Sequence, residues 1–272
     1  MKIIINFSDE NFIEAQNLNT KTAYKYGGAD KVISYSPNDI DMEFFKKNKK
    51  ILTQSRGGGY WLWKPYFIKR TLEEIDYGDY LFYCDSGACF CSNIDYLIGC
   101  LESYKQDILC FEIPLIEKQW TKRDCFILMD CDYEEYTDTN QRIATYMLIK
   151  KSKKSMNFIE DYLKYSCDEK ILTDLDNTLN KENYEGFIEH RHDQSIFSLL
   201  TKKYGFEGFR EPSQYGDRPW EYFKNNRFYN QKVYENSKYP RILLSYRKAD
   251  IKRFKRRERI KDVLQKFGLR FI

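Results

Sequence analysis

Short apolar runs alternate with helix-like stretches along most of this 272-residue chain, and that alternation restricts the fold more than any other feature. Lys2–Phe7, Lys31–Tyr35, Tyr80–Cys84 and the segments 108–112 and 143–150 are rich in Ile, Val, Leu, Phe and Tyr and predict strands. The third run is apolar throughout, the pattern of a strand buried on both faces. Between them lie helical patterns over 11–26, 41–47, 63–75, 96–104, 154–165 and 193–204. In the first, Phe12, Ala15 and Leu18 are spaced to share one face. In the third, Pro65 falls in the opening turn, and Phe67, Ile68, Leu72 and Ile75 make an apolar stripe. Strands and helices at this interval predict an α/β fold, a mostly parallel sheet flanked by helices. No internal repeat or linker divides the chain, so one domain over residues 1–246 and a basic helical extension over 247–272 are expected.

Composition supports a packed domain: 42% of residues are hydrophobic and 32% charged, outside the disordered range. The net charge of +4 is too small to imply a nucleic-acid partner and is unevenly distributed. Residues 247–272 hold 11 Lys/Arg against 3 Asp/Glu, a net of +8, leaving 34 against 38, a net of −4, for the rest. The opening apolar run is shorter than the core of a secretory signal, and no stretch of about 20 apolar residues exists to span a bilayer. A cytoplasmic protein with eight reduced cysteines is expected. Cys84, Cys89 and Cys91 cluster, but without a second Cys or His pair at ligand spacing they do not read as a zinc site.

Ligands of open α/β sheets bind beyond the carboxyl ends of the strands, which directs attention to three places. Asp85 and Ser86 follow the buried run Tyr80–Cys84, and a carboxylate leaving such a strand needs a cation or donor nearby, or serves as a turn residue. Both histidines of the chain, His190 and His192, stand in Glu189-His190-Arg191-His192-Asp193-Gln194-Ser195, where Asp193 occupies a helix N-cap position. Two imidazoles, two carboxylates and an arginine suit a divalent cation with a bound anion; a capped helix with exposed histidines is the simpler alternative. Arg56-Gly57-Gly58-Gly59 runs into a helix through Trp63, Lys64 and Pro65, and so offers either a diphosphate cradle or a flexible turn beside packed aromatics. It matches neither Gly-x-Gly-x-x-Gly nor a P-loop, so an ordinary NAD or ATP site is not supported.

Taken together, Gly59-Tyr60-Trp61-Leu62-Trp63-Lys64-Pro65, the following helix, Gly78-Asp79-Tyr80-Leu81-Phe82-Tyr83-Cys84-Asp85-Ser86-Gly87 and His190-Arg191-His192-Asp193-Gln194-Ser195 resemble GT-A-type glycosyltransferases. The similarity is to the glycogenin-like and yeast-type galactosyl/mannosyltransferase groups and to capsule and lipopolysaccharide enzymes. Segment 141–149 is placed like their strand beneath the donor sugar, and Gly216-Asp217-Arg218-Pro219-Trp220 is similar to their Gly…Lys-Pro-Trp segment, with Arg218 where Lys is usual. The resemblance implies a Rossmann-like sheet and transfer of a sugar, with retention, from a UDP- or GDP-linked donor to a glycan or lipid-linked acceptor in surface polysaccharide synthesis. It further implies Mn²⁺ or Mg²⁺ on the diphosphate, held by Asp85 and His192, because a divalent cation offsets the charge of a leaving diphosphate. By the same resemblance Asp193 and Gln194 are the catalytic pair. Donor contacts fall to Asn6, Phe7, Ser8, Arg56, Gly58, Gly59, Trp63, Lys64, Asp85, Ser86, Gln141, His190 and Arg191. The departure is Gly87, which stands where the family has its second Asp.

The extension carries Ile251, Phe254, Val263 and Leu264 among its basic residues, an expected stripe for docking on an anionic membrane, peripherally on the inner face. Two other readings compete: a nucleic-acid-binding module using the tail, and a degenerate relative that binds nucleotide sugars without turnover. Against the first, the densest aromatic cluster adjoins the glycines and not the basic stretch, and no nucleic-acid partner is expected.

Overall fold

Tyr80–Cys84 does form a strand buried on both faces, near the middle of a six-stranded sheet. The computed structural model describes residues 1–247 and 250–269; of the expected tail, residues 248, 249 and 270–272 lie outside them. Strands β1 (Lys2–Phe7), β2 (Lys31–Tyr35), β3 (Tyr80–Cys84), β5 (Ile108–Ile116), β6 (Asn140–Lys150) and β7 (Gly208–Arg210) lie in the order β2-β1-β3-β6-β5-β7. Only β6 runs against the others, pairing antiparallel with β3 and β5. The sheet is therefore mostly parallel, and β1, β3, β5 and β7 deliver their carboxyl ends to one edge. A separate antiparallel pair joins β4 (Ala88–Phe90) to β8 (Leu243–Ser245).

Helices of nine or more residues are α1 (Ile13–Thr22), α2 (Trp63–Glu74), α3 (Asp95–Ser103), α4 (Lys153–Ser166), α5 (Asp193–Lys203) and α6 (Ile251–Lys266). Successive strand residues face opposite ways, so the sheet feeds two apolar layers. Ile3, Ile5, Leu81, Tyr83, Met147 and Ile149 pack under α2, α4 and α5. Ile4, Phe82, Leu109, Phe111 and Leu148 pack on the other side with Leu97 and Leu101 of α3. The stripe expected on α2 is fully inside: Phe67, Ile68, Leu72 and Ile75 all belong to the first layer.

Helix α1 departs from expectation. Its buried residues are Gln16, Asn19 and Thr22, while Ala15 and Leu18 are half-buried against Leu244, Tyr246 and Phe254. The polar stripe hydrogen-bonds to backbone of the neighbouring segments. Gln16 donates to the Tyr35 carbonyl, Asn19 to that of Ala88, and the Thr22 hydroxyl accepts from the Phe90 amide. A buried amide or hydroxyl is stable only with such partners. Through them α1 fixes the loop that carries Asp85.

Candidate functional site

Three strand ends, strand β6 and the loops beside them enclose a cavity of about 660 Å³ at the carboxyl edge of the sheet. Phe7 and Ser8 enter from the end of β1, Asp85, Ser86 and Gly87 from the end of β3, Glu211 from the end of β7, and Ile143, Thr145 and Tyr146 from β6. Gly57, Gly58, Trp61 and Trp63 close one side and Tyr215, Tyr222 and Arg247 the other. The Phe7 ring stacks on Trp63 at 3.7 Å and 17°, giving that side a rigid aromatic wall. Ser86 ties the β3 loop to β1 by donating to the Phe7 carbonyl at 2.5 Å.

The glycine loop is a left-handed turn. Gly57, Gly58, Gly59, Tyr60 and Trp61 all have positive φ, between 53° and 93°. Glycine occupies such backbone at no steric cost, whereas Tyr60 and Trp61 are strained there. Packing holds them: both rings lie against the imidazole of His192, whose own backbone (φ 52°, ψ −121°) is left-handed. Gly59 is also where the turn passes closest to other backbone, since a Cβ there would stand 2.7 Å from the Leu52 Cα.

Below the cavity floor lies a charged line. The Lys64 ammonium, buried in the first turn of α2, donates to Asp193 Oδ2 at 2.5 Å and stands 3.7 Å from Asp85 Oδ1. Burial works against its charge, but the two carboxylates hold its pKa above the ordinary lysine value. Burial pushes the Asp193 carboxyl up to about 6 although Lys64 pulls the other way, with Asp85 adding repulsion. Tyr83 donates to Asp85, and Tyr162 to Asp193. Asp85, with about a third of its side chain exposed, is the member of the line that lines the cavity.

Of the residues expected at the site, Phe7, Ser8, Gly58, Trp63, Asp85 and Ser86 line this cavity. The others lie behind it or elsewhere. Asn6 is fully buried behind the cavity and donates to Asn19 and Thr20, so it braces α1. Arg56 pairs with Asp174 at 3.3 Å and Glu189 at 3.8 Å. Gln141 accepts from Gln194 at 2.8 Å and donates to buried Glu117. Asp193 is not the N-cap of α5; His192 occupies that position, and Asp193 turns in to Lys64. Arg191 lies over the Trp120 ring at 3.8 Å, and burial brings its pKa down to about 10.

Neither histidine is exposed. His190 Nδ1 accepts from the Lys122 amide and Nε2 pairs with the Ile171 carbonyl, while His192 Nδ1 pairs with the Leu172 carbonyl. Burial depresses both pKa values, so both rings stay neutral. They pin the segment before α5 to chain that has no sheet to join. His190 borders a second cavity, about 650 Å³, beneath the 174–190 segment and outside the charged line. The open Nε2 of His192 is 3.7 Å from Asp174.

Among the described residues no group of three or more His, Cys, Asp or Glu side chains is arranged to hold a metal ion. Asp85 alone fits a cation that arrives with a diphosphate, since Mg²⁺ is commonly held by one carboxylate and substrate phosphates. His192 does not line the cavity, and its Nδ1 pairs with the Leu172 carbonyl. A Cβ on Gly87 would meet the Arg247 backbone at 3.0 Å, leaving little room for a second aspartate.

Sequence reasoning missed Glu211, Tyr146, Tyr215 and Tyr222. Glu211 follows a three-residue strand that carries no apolar run to announce it. In the Gly216–Trp220 segment, which resembles the family's Gly…Lys-Pro-Trp, Arg218 pairs with Glu221, Glu258 and Asp262 and so anchors α6.

No family model and no curated protein matches this sequence. Solved structures do align with it. Mouse xyloside xylosyltransferase 1, in its apo form, superposes with a TM-score of 0.50 at 10% identity over 90% of this chain and 97% of that one. The apo glycosyltransferase GlyE of Streptococcus pneumoniae TIGR4 gives 0.44 at 17% identity, and the apo bifunctional glycosyltransferase WbbM gives 0.48 at 8%. The chain covers 54% and 46% of those two proteins. At 10% identity what is shared is the fold, and the mouse protein's fold is the α/β arrangement that the sequence predicts.

Proposed function

We propose that this chain is a glycosyltransferase, moving a sugar from a nucleoside-diphosphate donor to a glycan or lipid-linked acceptor in surface polysaccharide synthesis. The observation that carries the reading is the Lys64–Asp85 pair at the end of β3, opening into a cavity with an aromatic wall and a glycine turn. The fold shared with a xylosyltransferase supports it.

In this reading Phe7, Ser8 and the Trp63 face receive the nucleoside of UDP or GDP, and the Gly57–Trp61 turn admits the diphosphate without side-chain obstruction at Gly58. Lys64 sets a fixed positive charge beside the position where the leaving diphosphate accumulates negative charge, in a low-dielectric setting where it counts most. Asp193 is a positioning residue: it holds Lys64 and does not line the cavity. A Mn²⁺ or Mg²⁺ bound by Asp85 together with the diphosphate would offset the same charge. The sequence resemblance implies retention of the anomeric configuration.

The outer side of α6 supports a peripheral position on an anionic membrane. No helix among the described residues is long and apolar enough to cross one. The test of the whole reading is a thermal-shift panel of UDP, GDP and their sugars with and without Mn²⁺, paired with an assay of nucleotide release. Stabilisation and release support it; the absence of any nucleotide binding overturns it, and binding without release supports the degenerate alternative.

A further inference from the structure

Arg191 and Arg227 are unlike the other arginines held in the body of the fold. Arg123, Arg142, Arg210, Arg218 and Arg241 each have a carboxylate within 3.4 Å. Among the described residues Arg191 has only Glu189, at 3.7 Å, and that carboxylate is half exposed and shared with Arg56. Its guanidinium meets no hydrogen-bond acceptor there. Arg227 has no carboxylate within 4.0 Å among the same residues, and its guanidinium donates to one group, the Tyr222 carbonyl at 3.1 Å. Both nevertheless converge on one indole. Arg191 lies 3.8 Å and Arg227 5.1 Å from the centroid of the Trp120 ring.

The backbone holds this arrangement in place. Trp120 is buried just past the end of β5, and its carbonyl accepts from the Arg191 amide and the Ser195 hydroxyl. Buried Gln119 beside it donates to the carbonyls of Gly186 and Asn226 and accepts from the Phe228 amide, while its own carbonyl accepts from the Ile188 amide. One residue therefore clamps both segments that carry the arginines. The indole attracts each cation through its ring face, but it does not answer their mutual repulsion. Burial lowers the Arg191 pKa to about 10; Glu189 and Tyr222 oppose this and Arg227 adds to it. Trp120 Nε1 is buried and likewise meets no acceptor. The pair stands beside the 660 Å³ cavity across Tyr222, which lines that cavity, accepts from Arg227 and acts on Arg191.

We propose that Arg191 and Arg227 form an anion subsite that selects an acceptor carrying a phosphate or carboxylate group. The proposal rests on the sugar-transfer reading above and names the class of acceptor it takes. Paired guanidinium groups grip an oxyanion through several charge-assisted N–H bonds, and the oxyanion supplies the negative charge that the fold withholds. In that reading the donor diphosphate is met by Lys64 and the Gly57–Trp61 turn, which leaves the arginine pair to the acceptor. A neutral sugar at the same place leaves both cations uncompensated, and that penalty is the source of selection.

The test is calorimetry on the full chain saturated with UDP or GDP and Mn²⁺, so that the donor side is filled. The titrants are glucose 6-phosphate, methyl glucuronide and, as the neutral control, methyl glucoside. At least one acidic sugar is expected to bind about tenfold or more tighter than methyl glucoside, and which one does so separates a phosphate from a carboxylate. R191Q/R227Q should lose that preference while binding nucleotide within roughly threefold of wild type, a small change on a scale where 1.4 kcal/mol is tenfold. R227E places inside the fold the carboxylate that the ligand would bring, so it should melt at or above wild type and also lose the preference. If R227E melts lower, R227M decides, since it keeps an apolar stem against the indole: a lost preference supports the proposal and a retained one overturns it. No preference in wild type, or a preference intact in R191Q/R227Q, overturns the subsite and leaves sugar transfer standing. Nucleotide binding weakened beyond that threefold in R191Q/R227Q assigns the arginines to the donor and likewise overturns it. Failure of wild type to bind any nucleotide overturns the reading itself and this proposal with it.

Discussion

Lys64 and Asp193, 129 residues apart in sequence, meet at 2.5 Å beneath the cavity, both almost fully buried. The pair joins the first turn of α2 to the first turn of α5, and it leaves the ammonium within reach of Asp85. A buried ion pair is costly to break from one side, because the remaining charge loses its partner. Lys64→Met is therefore expected to destabilise the fold by about 3–5 kcal/mol in urea titrations at neutral pH. The sign of the pH dependence follows from Asp193, whose folded pKa of about 6 exceeds the unfolded value. The folded state binds the extra proton between the two values, so stability contributed by this group falls as pH rises through that window. Without Lys64 the folded pKa rises further, and the Lys64→Met deficit should shrink on moving from pH 8 to pH 5. The double variant Lys64→Met/Asp193→Leu should recover much of the stability and none of the nucleotide release.

The left-handed turn distinguishes two glycines that look alike in sequence. Gly59 has φ +93° and its Cβ position lies 2.7 Å from the Leu52 backbone, whereas Gly58 has φ +58° and meets only Trp63 Nε1 at 3.8 Å. Gly59→Ala must displace backbone and is expected to cost about 2 kcal/mol or more, from strain plus overpacking. Gly58→Ala should cost about 1 kcal/mol. Its methyl group adds to the cavity side, so it should weaken UDP or GDP binding by more than its small loss in melting temperature suggests. Calorimetry and thermal melts on the two variants check the contrast; equal effects on both quantities would contradict it.

The elements were legible because their apolar periodicity is strong: α2 buries the stripe of Phe67, Ile68, Leu72 and Ile75 that its spacing indicates. Helix α1 was misread for the same reason, since its inward face is Gln16, Asn19 and Thr22 and apolar periodicity does not register hydrogen-bonding demand. The cavity was half legible. Asp85 and the glycines announce themselves by interrupting apolar runs. The scarcity of histidine drew attention to His190 and His192, whose work is to satisfy carbonyls of Ile171 and Leu172. Arg227 was silent because its significance lies in meeting Arg191 on the Trp120 ring, a property of three-dimensional packing that leaves no spacing signal.

Asp85 is the cavity-lining carboxylate that has an ammonium, that of Lys64, 3.7 Å away. A cation held by one protein carboxylate depends on the substrate phosphates for the rest of its shell. Mn²⁺ alone is therefore expected to shift the melting temperature little, and Mn²⁺ with UDP or GDP to shift it more than the nucleotide by itself. Asp85→Asn should abolish the increment due to Mn²⁺ while retaining part of the nucleotide's own shift through Lys64. Excess EDTA that leaves both nucleotide release and the shift undiminished would remove the cation from the proposed function.

Helix α6 turns the usual pattern of a surface helix inside out. Three of its charged residues face inward: Glu258, Lys261 and Asp262 pair with Arg218, Glu221 and Arg241. Ile251 and Phe254, expected on the outer stripe, pack with Cys89, Leu244 and Tyr246 of the body. Outward stand Ile260, Val263 and Phe267, exposed by 50%, 53% and 76%, at spacings that share one face, with Arg256, Arg257 and Arg259 also exposed. Apolar side chains flanked by arginines fit the boundary of an anionic bilayer, where the rings and methyls leave water and the guanidinium groups meet phosphates. Replacing all three apolar residues by Ser is expected to reduce sedimentation with phosphatidylglycerol vesicles by on the order of 100-fold, at about 1 kcal/mol for each partly immersed side chain. Phosphatidylcholine vesicles should bind either protein weakly, and raised salt should weaken the wild-type interaction. A nucleic-acid partner would respond in the opposite manner: binding of single-stranded RNA would survive the Ser substitutions and fail on neutralising Arg256, Arg257 and Arg259.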